Sequence, residues 1–87
     1  MQIIYTDPFK RDYGRLPSDI QDALDKALLF LFKNPRHPSL RSKKLPGTSI
    51  WYARITRAYR FTFQYSNQSI ILRRAGTHGM LTKERRK

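Results

Sequence analysis

Hydrophobic and polar residues alternate along two neighbouring runs, 50–56 and 58–65, with the period of two that is typical of half-buried β-strands. Trp51 and Ala53 share one face of the first run, and the aromatic residues of the second run occupy every second position. Aromatic and β-branched side chains suit a pleated surface. A third run, 69–74, follows a short polar turn. The pattern predicts an antiparallel meander of three strands with one apolar face and one polar face.

The polar face of the predicted meander is cationic. Its first two strands present Arg54 and Arg60, and residues 50–80 contain no Asp or Glu. In the third strand, alternation places Arg73 on one face and Arg74 on the other, and periodicity alone does not decide which arginine joins the polar face.

The N-terminal part of the chain predicts a short strand followed by a short helix. Residues 2–6 form a brief apolar run that favours a strand. Asp7 and Pro8 are of the types favoured at a helix N-cap and at the first helical position, and apolar residues then recur at helical spacing. We therefore predict a helix over residues 7–15.

A longer amphipathic helix is predicted next. Ser18 and Gln21 have the spacing of a capping box, and Asn34-Pro35 ends the helical pattern after about 16 residues. Residues 35–49 contain three prolines and no sustained period, so they are predicted to form a loop. The apolar face of the helix consists of Ile20, Leu24, Ala27, Leu28 and Leu31.

The composition predicts one small domain that spans residues 1–87 and has a single core. The chain has no cysteine and only two isolated histidines, so we expect neither disulfides nor a metal site, and no other cofactor. No apolar segment approaches the roughly 20 residues that cross a bilayer, and the N-terminus lacks the pattern of a signal peptide. These features predict a cytoplasmic protein without a membrane partner.

The formal charge of +12 is unevenly distributed. Residues 1–25 carry three cations and five carboxylates, a net charge of −2, whereas residues 26–87 carry fifteen cations and one carboxylate, a net charge of +14. Such a one-sided field opposes the compact state through self-repulsion, and it attracts polyanions. We therefore expect a nucleic acid or an acidic protein as the partner.

Several short motifs follow one another along the chain. Together with the order of the predicted elements, they resemble the RelE/ParE superfamily of toxins from type II toxin–antitoxin modules. The last motif is similar to the RTGTH motif of YafQ-type ribonuclease toxins, so the resemblance points to the YafQ/RelE-type mRNA interferases. The motifs are Asn34-Pro35, Lys44-Leu45-Pro46-Gly47, Tyr52-x-Arg54-Ile55, Tyr59-Arg60 and Arg74-Ala75-Gly76-Thr77-His78.

This resemblance implies a compact α+β fold of the microbial-ribonuclease type, with an N-terminal strand and two helices packed on an antiparallel sheet of about three to four further strands. It implies an endoribonuclease that cleaves mRNA, usually on the translating ribosome, and thereby inhibits translation. It also implies a cognate antitoxin, which we expect to be acidic and to mask the basic face.

RNA cleavage without a metal needs an aligned 2′-hydroxyl, a group that transfers protons, and cations where the phosphorane develops charge. His78 is the only side chain in the C-terminal half with an unperturbed pKa of about 6.5, so it is the candidate for proton transfer. Arg54 and Arg60 share the polar face and can bind the scissile phosphate, and Arg74 joins this catalytic set through the motif match. Further candidates for binding RNA or phosphate are Arg41, Lys43, Lys44, Tyr52, Arg57, Arg73 and Lys83.

Two other functions fit the same composition. A ParE-like toxin shares the fold and acts on DNA gyrase without cleaving RNA, and a small nucleic-acid-binding module has no enzymatic role. Basicity supports all three functions. The histidine motif with the three arginines favours the ribonuclease, although a histidine between glycines also serves as a turn residue in many proteins.

Overall fold

The structure, a computed structural model, describes residues 2–79. Within that range the chain has an α+β fold of five strands and two helices, which confirms the predicted class. None of the helices in the described range is long and apolar enough to span a membrane. The elements are β1 (Gln2–Tyr5), α1 (Asp7–Arg15), α2 (Ser18–Lys33), a 3-10 turn (Pro38–Leu40), β2 (Lys43–Lys44), β3 (Trp51–Arg54), β4 (Tyr59–Ser66) and β5 (Ser69–Thr77).

The five strands form one sheet in the order β1-β5-β4-β3-β2. β3, β4 and β5 form the predicted antiparallel meander, and β2 pairs antiparallel with β3. β1 pairs parallel to β5, so the sheet is mixed at its N-terminal strand. β5 continues beyond the predicted run 69–74, because Gly76 and Thr77 still pair with β4.

Both helices pack on one face of the sheet, where the predicted apolar residues form the core. Phe61 and Phe63 of β4 and Leu72 of β5 are fully buried there. The alternating polar residues of the strands therefore face away from the helices. The predicted apolar face of the longer helix is confirmed, and its buried residues are Ile20, Leu24, Ala27, Leu28 and Leu31.

The first helix has the predicted bounds but a different cap. Thr6, and not Asp7, is the N-cap of α1, and the Thr6 hydroxyl accepts a hydrogen bond from the Phe9 amide at 3.3 Å. The same hydroxyl donates to the Leu72 carbonyl of β5 at 2.7 Å. Thr6 therefore joins the start of α1 to the neighbouring strand, which sequence spacing within the helix does not reveal.

The second helix also begins where predicted, without the predicted capping box. Its N-cap is Pro17, which makes no side-chain hydrogen bond, and Ser18 is already helical. The side-chain amide of Gln21 (Nε2) instead donates a hydrogen bond to the Tyr13 carbonyl near the end of α1, at 2.7 Å. The capping-box prediction was wrong because Gln21 bonds to the preceding helix.

Residues 35–49, predicted to form a loop, contain the 3-10 turn and β2. The turn starts after His37, whose Nδ1 accepts a hydrogen bond from the Ser39 amide at 3.1 Å. The His37 ring stacks on Phe30, with the ring centroids 4.3 Å apart. Leu40 is fully buried and anchors the segment to the core. These elements are too short to produce a hydrophobic period, so the prediction of an unbroken loop was wrong.

A β-bulge in β5 changes the alternation near the middle of the strand. Phe63 pairs with Leu72 and Thr62 pairs with Arg74, so Arg73 is the extra residue of β5. An extra residue shifts the two-residue period by one step. Strict alternation would place Arg74 on the core face with Leu72, whereas the bulge sets it opposite Thr62.

Candidate functional site

The outer face, as we call the side of the sheet away from α1 and α2, holds four of the predicted site residues. Directly opposed residues on neighbouring strands point to the same side. Lys44 pairs with Trp51, whose ring contacts the core, so Lys44 lies on the helix side, unlike Lys43. The outer face is defined by Lys43, Tyr52, Arg54, Arg60, Thr62 and Gln64.

Arg54 and Arg60 are directly opposed on β3 and β4, which confirms that they share a face. Burial lowers the pKa of Arg60, and the positive charges of Arg54 and Arg41 lower it further, while Tyr52 acts in the opposite direction. An arginine stays protonated at neutral pH despite such shifts. Arg60 therefore lies within electrostatic range of the guanidinium groups of Arg54 and Arg41, and an anion bound beside Arg60 would offset this repulsion.

The Arg60 side chain is also bound to the turn between β3 and β4. Its Nη1 donates to the carbonyl oxygens of Thr56, of Arg57 at 3.0 Å and of Tyr59 at 2.9 Å. These bonds fix the guanidinium at the end of the sheet where the turn lies. Arg57 itself is exposed in that turn.

His78 directly follows β5 at this same end of the sheet. Its amide donates a hydrogen bond to the Ala58 carbonyl at 3.2 Å, and the residue is exposed. Ala58 precedes Arg60 by two residues, a separation of about 7 Å along a strand. Gly76 lies opposite Arg60 on β5 and has no side chain to fill the space beside the guanidinium. His78 is therefore outside the hydrophobic core, and its backbone adjoins the turn that connects the strands of Arg54 and Arg60.

Arg74 lies farther along β5, opposite Thr62, and its guanidinium is bound by Asp12 of α1. Nε lies 2.7 Å from one carboxylate oxygen of Asp12, and Nη2 lies 3.2 Å from the other. The Arg74 side chain is 39% exposed, whereas that of Asp12 is 6% exposed. The buried carboxylate thus fixes a guanidinium that solvent and ligands can still reach.

The extra residue of the bulge, Arg73, belongs to a chain of hydrogen bonds on the outer face. Arg73 Nη1 donates to Gln64 Oε1 at 3.2 Å, and Gln64 Nε2 donates to Ser49 Oγ at 2.9 Å. Lys83 lies outside the described residues. Within residues 2–79, no three His, Asp or Glu side chains lie close enough together to hold a metal ion.

The arrangement can bind a phosphodiester and transfer a proton beside it. Guanidinium groups bind phosphate oxygens through paired hydrogen bonds, and the crowded cations of the outer face supply several of them. An exposed imidazole near that anion can exchange protons near neutral pH. Tyr52, opposite Thr62 on the same face, is half-buried and offers an aromatic ring beside the cations.

No protein-family profile and no curated protein sequence matches the chain. Its fold matches solved structures. A YoeB/ParE toxin from Agrobacterium tumefaciens has a TM-score of 0.75 and 20% identity over 90% of this chain and 99% of its own. YafQ from E. coli has a TM-score of 0.77 and 16% identity over 92% and 96%, respectively. The RelB–RelE antitoxin–toxin complex from Methanococcus jannaschii has a TM-score of 0.77 and 17% identity, over 93% of this chain and 96% of the matched chain. The chain has a RelE-like toxin fold.

Within this RelE-like fold, the site includes two residues, Asp12 and Thr62, that the sequence pattern did not indicate. Asp12, on the first helix, is more than sixty residues from Arg74, which it binds. Thr62 is fully buried on the outer face, and its hydroxyl accepts the Arg74 amide at 3.0 Å. A lone buried carboxylate in an amphipathic helix gives a weak signal, because most helical aspartates are solvated.

Proposed function

We propose that this protein is the toxin of a type II toxin–antitoxin module and acts as an endoribonuclease on mRNA. One observation carries the proposal: Arg54 and Arg60 are directly opposed at the end of the sheet where the amide of the exposed His78 bonds to the Ala58 carbonyl. The RelE-like fold supports it, because the matched structures are toxins by name. Such an enzyme would act in the cytoplasm, on free mRNA or on mRNA held by the ribosome.

In the proposed reaction, the RNA 2′-hydroxyl attacks the adjacent phosphorus and the bond from phosphorus to the 5′-oxygen breaks. The 2′-hydroxyl proton leaves to a base, and the departing 5′-oxygen gains a proton. The products are a 2′,3′-cyclic phosphate and a free 5′-hydroxyl. Arg54 and Arg60 stabilise the charge that develops on the phosphorane, and Arg74 binds a neighbouring phosphate oxygen.

His78 is the group that we assign to proton transfer. Its imidazole can accept the 2′-hydroxyl proton or donate one to the 5′-oxygen, as histidine side chains do in general acid–base catalysis. General acid–base catalysis by one positioned side chain contributes about 10²- to 10⁴-fold to a rate. Cleavage should therefore depend strongly on His78.

The proposed toxin would bind an acidic antitoxin. The M. jannaschii structure with this fold is an antitoxin–toxin complex. Residues 26–87 carry a net charge of +14, which attracts a segment rich in Asp and Glu. A partner that covers the outer face would also block access of RNA to Arg54 and Arg60.

Substitution of the two histidines tests the ribonuclease directly. Expression of the wild-type protein should arrest growth and produce new mRNA 5′-ends within coding regions. The His78→Gln variant should lose both effects, and the purified variant should cleave RNA at least about 100-fold more slowly. The matched control is His37→Gln, because the His37 ring stacks on Phe30 and its Nδ1 accepts the Ser39 amide, which are contacts within the fold. That variant should unfold at a lower temperature yet cleave RNA at the normal rate.

The other functions predict different results. If His78→Gln remains toxic and the cells accumulate DNA breaks, the target is gyrase and the ribonuclease proposal is wrong. If expression is harmless and the purified protein binds RNA without cleaving it, the chain is a nucleic-acid-binding module.

A further inference from the structure

We propose that Asp12 is a positioning residue for the cleavage reaction, because it orients the Arg74 guanidinium toward the RNA phosphate. The inference rests on the proposed ribonuclease function and adds to it a residue from the first helix. Asp12 does not touch RNA in this proposal. It acts only through Arg74.

The contacts of Asp12 converge on one short stretch of β5. One carboxylate oxygen accepts Arg74 Nε at 2.7 Å and the Ala75 amide at 3.0 Å, and the other accepts Arg74 Nη2 at 3.2 Å. Two hydrogen bonds from one guanidinium fix its plane as well as its position. The carboxylate is itself almost fully buried, so packing holds it in place.

The place of Asp12 in the fold explains why a carboxylate is needed there. β1 pairs with β5 only as far as Leu72, the partner of Tyr5, so no strand among residues 2–79 covers the edge of β5 beyond that point. α1 begins at Asp7 and lies along this edge, where Asp12 accepts the Ala75 amide. A buried amide without an acceptor is costly. The same carboxylate therefore completes the sheet edge and binds the adjacent arginine.

The bulge makes this positioning necessary. It moves Arg74 off the core face and sets it opposite Thr62, at a place where strand alternation no longer determines the direction of the side chain. A long side chain at such a place has many rotamers, and most of them hold the guanidinium outside the geometry that the reaction needs. The carboxylate of Asp12 removes that freedom before RNA binds.

The charge that Asp12→Asn removes distinguishes a positioning role of Asp12 from an effect of net charge on RNA binding. Replacing Asp12 with Asn removes one negative charge from a protein of net charge +12. RNA binding that depends only on net charge would become tighter. If Asp12 positions Arg74, the Asp12→Asn variant should bind RNA as tightly as the wild type, or more tightly, and cleave it more slowly.

The test measures kcat and KM on an RNA oligonucleotide, with thermal unfolding of each variant in parallel. We expect Asp12→Asn to lower kcat by about 10- to 100-fold, the effect of a reacting group misplaced by about 1 Å, without raising KM. Asn keeps an oxygen for the Ala75 amide, so the sheet edge retains its acceptor. Asp22→Asn, an equal change of charge at an exposed position of α2, should leave kcat and KM unchanged.

A double-mutant cycle with Arg74→Ala distinguishes positioning from a structural effect. In the Arg74→Ala background, Asp12→Asn should lower kcat no further, although it can still change stability. This pair of variants also serves if Asp12→Asn alone does not fold, since the double variant leaves no unpaired charge. A further loss of ten-fold or more in that background would overturn the proposal.

The remaining outcomes separate this inference from the proposed function. If the wild-type protein cleaves no RNA, the proposed function is wrong and the inference is wrong with it. If the wild type cleaves RNA and a folded Asp12→Asn variant cleaves it equally fast, the ribonuclease stands and only the role of Asp12 is wrong.

Discussion

Arg60 has a role in the fold and, in the proposed reaction, a second role in binding phosphate. Its Nη1 donates to three carbonyl groups of the β3–β4 turn, and its partner across the strands is Arg54. Removing Arg60 would leave the turn carbonyls without this donor and would also remove a proposed phosphate ligand. Substitution of Arg60 therefore mixes stability with function, and Arg54 is the better probe of the cationic pair.

Arg54 should lower the stability of the free protein. Like charges directly opposed in a sheet are unfavourable, and such cross-strand pairs contribute about 0.2–1 kcal/mol. We expect Arg54→Thr to raise the free energy of unfolding by about this amount at low salt, since threonine also suits a strand. Urea titrations at low ionic strength measure the change.

The salt dependence of this effect identifies its cause. At about 1 M salt the screening length falls to roughly 3 Å, so the advantage of Arg54→Thr should shrink. Arg36→Thr makes the same change of charge in the exposed segment after α2 and should stay within about 0.5 kcal/mol of the wild type. A stability of Arg54→Thr below that of the wild type at low salt would show that Arg54 packing outweighs the repulsion.

At the scale of the elements, the bulge of β5 is stabilised from both sides. Thr62 of β4 accepts the Arg74 amide at 3.0 Å, and Asp12 of α1 accepts the Ala75 amide at 3.0 Å. A bulge disturbs the ladder of backbone hydrogen bonds around the extra residue. The two side-chain acceptors satisfy the amides that follow Arg73, and they keep the bulge at one position.

Thr62→Val should show how much the bulge depends on the hydroxyl. Valine has nearly the shape of threonine and a high preference for strands, so a loss of stability reports the missing acceptor. We expect a decrease of about 1–3 kcal/mol in the free energy of unfolding, because Thr62 is fully buried. Thr77→Val, at an exposed position of β5, is the control and should change stability by less than about 0.5 kcal/mol. Equal effects of the two substitutions would contradict the role of Thr62.

The elements that the sequence predicted well have a repeated pattern. α2 extends over the predicted residues because five of its apolar side chains share one face. Arg54 and Arg60 lie opposite each other on the same face because a short turn between two alternating strands sets the register of the strands. Both features arise from neighbouring residues, and a period within one segment is enough to indicate them.

The features that the sequence did not indicate depend on contacts between distant segments. The bulge adds one residue to an otherwise regular strand, and no local composition marks Arg73 as that residue. Asp12 binds an arginine near the other end of the chain, and Thr6 bonds to β5 as well as capping its own helix. Tertiary contacts of this kind decide which arginine of β5 binds Asp12, and spacing in the sequence cannot decide it.

At the scale of the whole molecule, the carboxylates and the excess of cations lie on different layers. The five carboxylates of residues 2–79 all belong to the two helices, which also carry five cations, whereas the outer face of the sheet carries arginine and lysine without a carboxylate. A layered field of this kind directs polyanions to one side of the molecule. RNA and an acidic antitoxin would therefore meet the same surface and exclude each other.

Salt-dependent RNA binding should show that this surface, and not the net charge alone, holds the polyanion. The outer face and its neighbour Arg41 supply four cations, namely Arg41, Lys43, Arg54 and Arg60. If each neutralises one phosphate of single-stranded RNA, the logarithm of the binding constant should fall against the logarithm of salt concentration with a slope of roughly −3. A 2′-O-methyl RNA, which cannot be cleaved, permits the measurement.

Two lysine variants of equal charge decide between the outer face and general attraction. Lys43→Gln removes a cation from the outer face and should reduce the magnitude of the slope by about 0.7, whereas Lys26→Gln, at an exposed position of α2, should leave it unchanged. A complex with an acidic protein encoded beside this chain should respond in the same order, with Lys43→Gln dissociating at lower salt than Lys26→Gln. Equal slopes for the two variants would contradict a defined RNA surface, and failure of any acidic neighbour to copurify would contradict the antitoxin.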